Sequence, residues 1–273
     1  MSEQPQAYPS DDSVHSELAD GVLRLVLDRP KKRNAIDDVG VATLIAAFER
    51  ANTDEAVRTI LLTSVGADFC SGFDIVSRNA TDDGRPRVGS IQRRLPAQSH
   101  RLVPLMLSTQ APIVCAVRGW AAGLGLHLAL ASDFCVAAHD ARLWEPFAAR
   151  GFTPDSGGTW LLPRLVGIAR AKELLILGRE LSGEDAASWG IVFRSVPPGE
   201  VEPVSNDVAA ELAAGPTVSL GLTKWLVHQG AGLDLERHLA NEAFAMELSS
   251  RSDDFREGIA ALRGKRPTRF EGR

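Results

Sequence analysis

Two glycine-bearing turns, one aspartate and one histidine are the residues of this sequence whose types and spacing fit chemistry. The first turn, Phe69-Cys-Ser-Gly-Phe-Asp74, follows an apolar run at 59–64. The second, Gly119-Trp-Ala-Ala-Gly-Leu-Gly125, lies between an apolar run at 113–117 and a helix-like stretch at 126–132. Glycine admits torsions closed to other residues and lets a ligand approach the backbone. A helix beginning at such a turn aims unpaired N–H groups and its positive dipole end at an anion. Two such turns converging from different strands would make an oxyanion hole without side-chain donors. Read singly, each set of glycines serves equally well as a turn and nothing more. The GxxxGxG spacing of the second turn is not the GxGxxG of a dinucleotide site, and there is no GxSxG elbow, HExxH or P-loop pattern.

Asp155, in Gly151-Phe-Thr-Pro-Asp155, is flanked in sequence by Phe147, Phe152 and Trp160. Desolvation among those rings would disfavour its charge and tune it for proton transfer. The plainer alternative is an N-cap, for which Asp is favoured, on a helix beginning near Gly157. His127 follows Leu124 by three residues, which puts both on one helical face. It is suited to orienting substrate, binding water or sharing a proton with Asp155, or else to being a packed polar residue in an apolar helix. Glu145 precedes Phe147 by two, one face of an extended chain. His15, His100, His139, His228 and His238 have no comparable setting and are expected at the surface or in packing.

These residues need strands and helices to hold them. Residues 21–27 read as a strand stopped by Asp28-Arg29-Pro30, residues 38–51 as a helix with Val41, Leu44, Ile45 and Phe48 at helical spacing, and 59–64, 113–117 and 133–138 as buried strands. A polar stretch at 78–90 predicts a mobile loop, followed by an amphipathic helix to about residue 108. From Gly158 onward the pattern is mostly helical, with Ser182-Gly-Glu-Asp185 as a capping-box-like start and a strand at 192–196. The recurring strand, strand, helix alternation predicts an α/β fold of stacked ββα units. The organisation expected is a disordered leader at 1–16, a core at 17–198 and a helical C-terminal region at 199–273.

Composition excludes several classes. The 273-residue chain carries a net charge of −5, without the basic excess of a nucleic-acid-binding protein. No apolar stretch approaches the ~20 residues of a membrane span. The segment 1–12 is polar and acidic, unlike a signal peptide, so a cytoplasmic protein without a membrane partner is expected. Cys70, Cys115 and Cys135 show no metal-ligand spacing and each lies in or beside an apolar run, so all three read as reduced core residues.

Taken together, the segments form a pattern. Asp28-Arg-Pro-Lys-Lys-Arg-Asn-Ala35, the two glycine turns, Asp133-Phe-Cys-Val-Ala-Ala and Gly151-Phe-Thr-Pro-Asp-Ser-Gly-Gly-Thr-Trp-Leu-Leu-Pro-Arg164 occur in the order of the crotonase (enoyl-CoA hydratase/isomerase) superfamily, which the chain resembles over about residues 17–270. The resemblance implies a spiral of ββα repeats, a helical C-terminal region that forms trimers or hexamers, and a coenzyme A thioester as substrate with no further cofactor. It assigns the oxyanion-hole amides to Phe73 and Leu124, and the acyl-CoA surroundings to Arg33, Ala35, Trp120, Phe147 and, through the closing KRP segment, Lys265. Hydratases of the family use two glutamates to handle water, and the matching positions here are His127 and Phe147. Asp155 matches the proton-shuttling aspartate of several isomerases in the family, among which those of phenylacetate degradation share the PD-x-GGTWLLPR pattern. The expected activity is therefore double-bond migration in an enoyl-CoA, with Asp155 and His127 as catalytic side chains. The alternatives are a hydratase in which His127 and Asp155 replace the glutamates, and a non-catalytic acyl-CoA-binding scaffold.

Overall fold

A computed structural model describes residues 7–78 and 87–273. Its strands are Val14–Ala19 (β1), Val22–Leu27 (β2), Thr59–Ser64 (β3), Ile113–Val117 (β4), Trp120–Ala122 (β5), Phe134–Ala138 (β6), Arg142–Trp144 (β7), Leu181–Ser182 (β8) and Arg194–Val196 (β9). The helices are Asp38–Ala51 (α1), Ile75–Arg78 (α2), Ser90–Arg94 (α3), Leu102–Ser108 (α4), Leu124–Ala131 (α5), Gly158–Leu177 (α6), Gly183–Ser188 (α7), Val201–Ala213 (α8), Thr217–Gly230 (α9), Leu235–Ser249 (α10) and Asp253–Gly264 (α11).

The larger sheet has the order β1-β2-β3-β4-β6-β9. Only the β1–β2 pair is antiparallel; from β2 outward every pairing is parallel. Parallel strands are covered on both faces and read as continuous apolar runs, and every residue of β4 is buried. A smaller sheet, β5-β7-β8, forms a second layer. Isolated bridges Cys70↔Ala121 and Ile36↔Phe73 continue it outward from β5. The chain thus leaves each long strand, adds a short piece to the second layer, and turns into a helix: β2, Ile36, α1; β3, 70–73, α2; β4, β5, α5; β6, β7, α6. This is the expected spiral of ββα repeats, and it stacks the two glycine turns on adjacent rungs.

Several expectations need correction. The second half of the expected leader at 1–16 is built into the fold, since Tyr8 is buried and donates a hydrogen bond to Asp54 at 2.7 Å, while Val14 opens β1. Residues 1–6 lie outside the described residues, as do 79–86 of the loop expected at 78–90; that loop's last residue, Ser90, opens α3. The single helix expected before residue 108 is broken by Pro96 into α3, two 3-10 turns and α4. α6 is kinked at Gly167, where φ is 74° and ψ 167°. Residue 198 marks no break in packing, because Val201 and Ala209 of α8 belong to the hydrophobic core and α8 lies against β3 and β4. α9 is fastened to the same sheet by Lys224 Nζ donating to Asp133 Oδ2 at 2.7 Å.

Candidate active site

The two turns meet. Their ladder is parallel: Cys70 N donates to Trp120 O (2.8 Å) and Ala122 N to Cys70 O (2.9 Å). On the other side Ile36 N donates to Gly72 O (2.9 Å) and Asp74 N to Ile36 O (2.8 Å). In such a pairing the residue between Gly72 and Asp74 directs its own N–H to the opposite side, so the Phe73 amide faces the β5 side. Gly72 takes φ +100°, and a Cβ placed there would lie 2.8 Å from Ala122 O and 3.6 Å from Leu124 N. Leu124 is the first residue of α5, following Gly123 at φ 50° and ψ −121°, and its N–H is one that the helix cannot pair internally. Gly125 allows the close approach: a Cβ on it would fall 2.5 Å from Cys70 O. Two backbone amides, of Phe73 and Leu124, are thereby brought to one place by glycines at 72, 123 and 125.

A polar frame holds the first turn. Asn34 is buried, accepts Arg29 N (2.7 Å) and donates to Val65 O (2.8 Å) and Asp68 O (2.7 Å). Asp74 receives Lys32 Nζ (3.0 Å), Arg29 Nη2 (3.1 Å) and Ser77 N (3.0 Å). Burial alone would raise the Asp74 carboxyl, but the Ser77 amide and Lys32 outweigh it and bring it down to about 2. Cys70, at the root of the turn, is pushed by burial up to about 12, which removes it as a nucleophile. All three cysteines are free and buried, as expected of core thiols.

Residues 124–131 are buried all round α5, with His127 the one polar side chain among them. A buried imidazole needs a partner, and Glu145 provides it. His127 Nε2 lies 3.0 Å from Glu145 Oε1 and 3.3 Å from Oε2, with the two side chains 0% and 1% exposed. The pair depends on Gly158, where a Cβ would sit 2.3 Å from His127 Nε2 and 2.9 Å from Glu145 Oε1. The imidazole stacks on Phe147 (5.9 Å between centroids, 9° between planes). Phe147 in turn meets Phe152 edge-on at 5.4 Å, and its tip lies 3.6 Å from the Cβ position of Gly123. Glu145 is the residue sequence reasoning left without a role. The signal for it was a lone carboxylate in the buried run Glu145-Pro-Phe147, matched by a lone histidine in an apolar helix.

Asp155 is half-buried, and the one hydrogen bond described for it comes from Ser156 Oγ at 3.0 Å. It does not cap α6: the cap residue is Gly157, with no side-chain bond, and Ser156 takes φ 57° immediately before it. That left-handed step turns Asp155 off the helix end. Phe152 and Trp160, expected to enclose it, are 43% and 42% exposed, so within one chain the enclosure is incomplete. Trp160 is instead covered by Arg164, whose guanidinium lies 3.7 Å from its ring centroid.

The remaining predicted residues divide. Arg33 is exposed at φ 49° and Ala35 is half-buried, both on the loop whose backbone meets the first turn through Ser71 N donating to Arg33 O at 2.9 Å. Trp120 opens the second turn, but its ring packs on Trp144 (5.7 Å) under Arg142 (3.9 Å). Lys265 is exposed at the end of α11. The tail beyond it is pinned at the N-terminal end of the central strand β3, where Arg58 donates to Phe270 O. No described contact brings Lys265 to the two turns of its own chain.

Known proteins place this arrangement. The enoyl-CoA hydratase/isomerase family model matches residues 17–273. The 1,2-epoxyphenylacetyl-CoA isomerase of Escherichia coli K12 is 37% identical over 95% of this chain and 98% of its own length. The crotonyl-CoA hydratase of Syntrophomonas wolfei is 31% identical over 90% of this chain and 93% of its own. The solved enoyl-CoA hydratase/isomerase of Cupriavidus metallidurans CH34 superposes with a TM-score of 0.87 at 31% identity, covering 96% of this chain and 97% of that one. An enoyl-CoA hydratase of Bacillus anthracis gives 0.88 at 28% identity, over 96% and 100%. With its spiral of repeats, its two converging glycine turns and a match over nearly its whole length, the chain belongs to the enoyl-CoA hydratase/isomerase family, the crotonases.

Proposed function

We propose that the chain is an enoyl-CoA isomerase that moves a double bond along an acyl-CoA. The observation that carries this reading is the meeting of Gly72 with Leu124 N while Asp155 stands free of any capping duty. The Phe73 and Leu124 amides donate to the thioester oxygen as charge develops on it, each worth ~2.7–4 kcal/mol in the transition state. Asp155 takes a proton from one carbon, leaving the enolate held in the hole, and returns it to the carbon two positions along as the double bond shifts. Phe147 borders the acyl chain, and Arg33, Ala35 and Trp120 lie on the segments that frame coenzyme A. The isomerase likeness of the Escherichia coli relative supports the assignment.

A hydratase reading has one observation in its favour: His127 and Glu145 form a polar pair at the place where the family's hydratases carry a glutamate. Against it, both Glu145 oxygens already face His127 Nε2, and the other glutamate position is Phe147. Incubation with matched 2-enoyl-, 3-enoyl- and dienoyl-CoA thioesters decides. Double-bond isomers are the expected products; 3-hydroxyacyl-CoA as the main product would replace this reading with the hydratase, and binding without turnover would replace it with the scaffold.

The proposal includes assembly into a trimer or hexamer. Large apolar side chains on α10 and α11 support it, among them Leu235, Phe244, Met246 and Leu262, 71%, 59%, 60% and 76% exposed. Such an assembly gives Lys265 a neighbour's coenzyme A phosphates to reach. Light scattering at assay concentration is expected to return three or six times the 29.3 kDa chain mass, and a monomer mass would overturn the assignment. A cytoplasmic home agrees with three cysteines that are free and buried. No helix among the described residues is long and apolar enough to cross a membrane.

A further inference from the structure

We infer that Asp68 is a positioning residue for the oxyanion hole, because its side chain supplies the hydrogen bond at which the two glycine turns begin to pair. The inference rests on the reading given above, in which the Phe73 and Leu124 amides hold the thioester oxygen.

The ladder between the turns shows what Asp68 replaces. Cys70 N donates to Trp120 O and Ala122 N to Cys70 O, the alternation of a parallel pair. Continued one step back, that alternation would send Trp120 N to the backbone oxygen of Asp68. That oxygen is already taken, by Asn34 Nδ2 at 2.7 Å and Ser64 Oγ at 3.0 Å, which fill its two lone pairs. The side chain stands in: Trp120 N donates to Asp68 Oδ1 at 3.0 Å. Asp68 Oδ2 lies 3.8 Å from Arg33 Nε, beyond hydrogen-bond reach, so the bond from Trp120 N is the only one described for the carboxylate.

The second turn is fitted closely to this carboxylate. Gly119, at φ +53°, lies so near that a Cβ on it would fall 2.4 Å from Ala67 O and 2.5 Å from Asp68 Oδ1. From the other side Arg142 N, at the start of β7, donates to Gly119 O at 2.8 Å, so the base of the turn is clamped between β7 and Asp68. Asp68 is the fifth residue before Phe73, and Trp120 the fourth before Leu124. The spacing of the two donor amides is thus set at one end by the Asp68–Trp120 bond. At the other end it is set by the contact of bare Gly72 with Ala122 O. An oxyanion hole depends on donors held in advance at the right spacing, and a displacement of about 1 Å can cost ~10²-fold in rate.

The test compares Asp68→Ala with Asp68→Asn in the full-length protein. Asparagine keeps an oxygen for Trp120 N, and alanine keeps none. Butyryl-CoA labelled with carbon-13 at the thioester carbonyl is saturated, so infrared difference spectra read the hole without turnover. Bound to the wild-type protein, its carbonyl stretch should fall below the value in water, as two donors draw charge onto the oxygen. Asp68→Ala should lose about half of that fall, one donor's share. Its single-turnover rate with an enoyl-CoA should drop about 10–100-fold, less than the ~10²–10³ of an outright donor loss. Affinity for butyryl-CoA should stay within a few-fold, because the hole acts mainly as charge develops. Asp68→Asn should restore the stretch, and bring the rate back to within a few-fold of wild type. A folded Asp68→Ala protein with the wild-type stretch and rate overturns the inference even if it melts earlier, since Asp68 then serves stability alone. So does an asparagine variant no better than the alanine one. If Asp68→Ala does not fold, hydrogen exchange of the wild-type Trp120 amide decides. Protection comparable with that of the Ala122 amide is expected, and free exchange overturns the inference. A carbonyl stretch that does not fall in the wild-type complex would instead strike the oxyanion reading itself, and this inference with it.

Discussion

The turns around Gly72 and Gly123 and the segment from Glu145 to Gly158 are neighbours in the candidate site but are built from different material. In the first region the proposed working groups are backbone amides, and on that reading the side chains at Phe73 and Leu124 are incidental to them. What cannot change there is the absence of a Cβ: at Gly72 it would press on Ala122 O at 2.8 Å, at Gly125 on Cys70 O at 2.5 Å. In the second region the proposed working groups are the side chains of Asp155 and His127, and Gly158 is required for its bareness beside the imidazole. The anion-binding half should therefore tolerate most side-chain substitutions and fail on backbone ones, and the proton-handling half should do the opposite.

The sharpest way to break this contrast is Asp155→Asn, which nearly preserves volume and removes the basic oxygen. General acid–base groups contribute ~10²–10⁴ in rate, and as the only shuttle in the proposed reaction Asp155 should lie at or beyond the upper end. Acyl-CoA affinity should stay within a few-fold, because the group acts in the transition state. α6 starts without Asp155, so the melting temperature should hardly move. Full single-turnover activity in the folded variant would remove Asp155 from the mechanism and leave His127 as the base. His127→Ala should cost less, ~10–100-fold, if the imidazole orients substrate without carrying the proton.

Next in size are changes to the backbone half. Leu124→Pro deletes one N–H at the first position of α5, where proline's fixed φ is tolerated and no helical hydrogen bond is lost. A drop of ~10²–10³ in turnover is expected; near-normal turnover by a folded protein would end the oxyanion assignment. Gly72→Ala adds a methyl at φ +100° against a carbonyl, so it should lose similar activity and also melt earlier. Phe73→Ala and Leu124→Ala supply the contrast, since their amides remain, and each should keep turnover within about tenfold, less than the loss of a donor.

How much of this is legible in the sequence depends on where the determining contacts lie. α1, β3 and β4 have the limits that the apolar pattern predicts, because Val41, Leu44, Ile45 and Phe48 or an unbroken apolar run leave no second choice. β1, whose first half falls in the expected leader, is hidden because only Val14 and Leu18 stand out among its alternating polar residues at a sheet edge, and the hairpin that seats it turns on positive φ at Asp20 and Gly21. The glycine turns are visible as turns, whereas their convergence rests on a bridge between Cys70 and Ala121, 51 positions apart. Glu145 lies 18 residues from the histidine that gives it meaning. Gly158 stands inside a recognised motif, but its reason, the imidazole 2.3 Å from a Cβ it does not have, exists only once α5 and α6 are packed. Asp155 suits a cap as well as a catalyst until the left-handed turn at Ser156 separates the two.

The smallest effect at neutral pH is the most informative about what holds the backbone half in place. Asp74 is 6% exposed, and its ordinary value of 3.8 falls to about 2 in the fold. Burial opposes that fall, and it is outweighed chiefly by the Ser77 amide and Lys32. A carboxylate lowered on folding adds stability above its unfolded value and loses it as the pH drops through the folded one. The contribution should thus be complete above about pH 4 and vanish toward pH 2, amounting to ~2 kcal/mol, since a tenfold change in proton affinity corresponds to ~1.36 kcal/mol. Because Asp74 N is also tied to Ile36 O beside Phe73, its protonation should loosen the first turn before the parallel sheet. Asp74→Asn fixes the side chain neutral and, leaving Lys32 and Arg29 without their carboxylate, should destabilise the protein at pH 7 while flattening its response below pH 4. Urea unfolding of both proteins at steps from pH 7 to pH 3 measures the difference, which should narrow as the pH falls. A gap that stays constant across that range would mean that the neutral-pH cost comes from packing, and that the ion pairs around Asp74 contribute nothing to holding the turn.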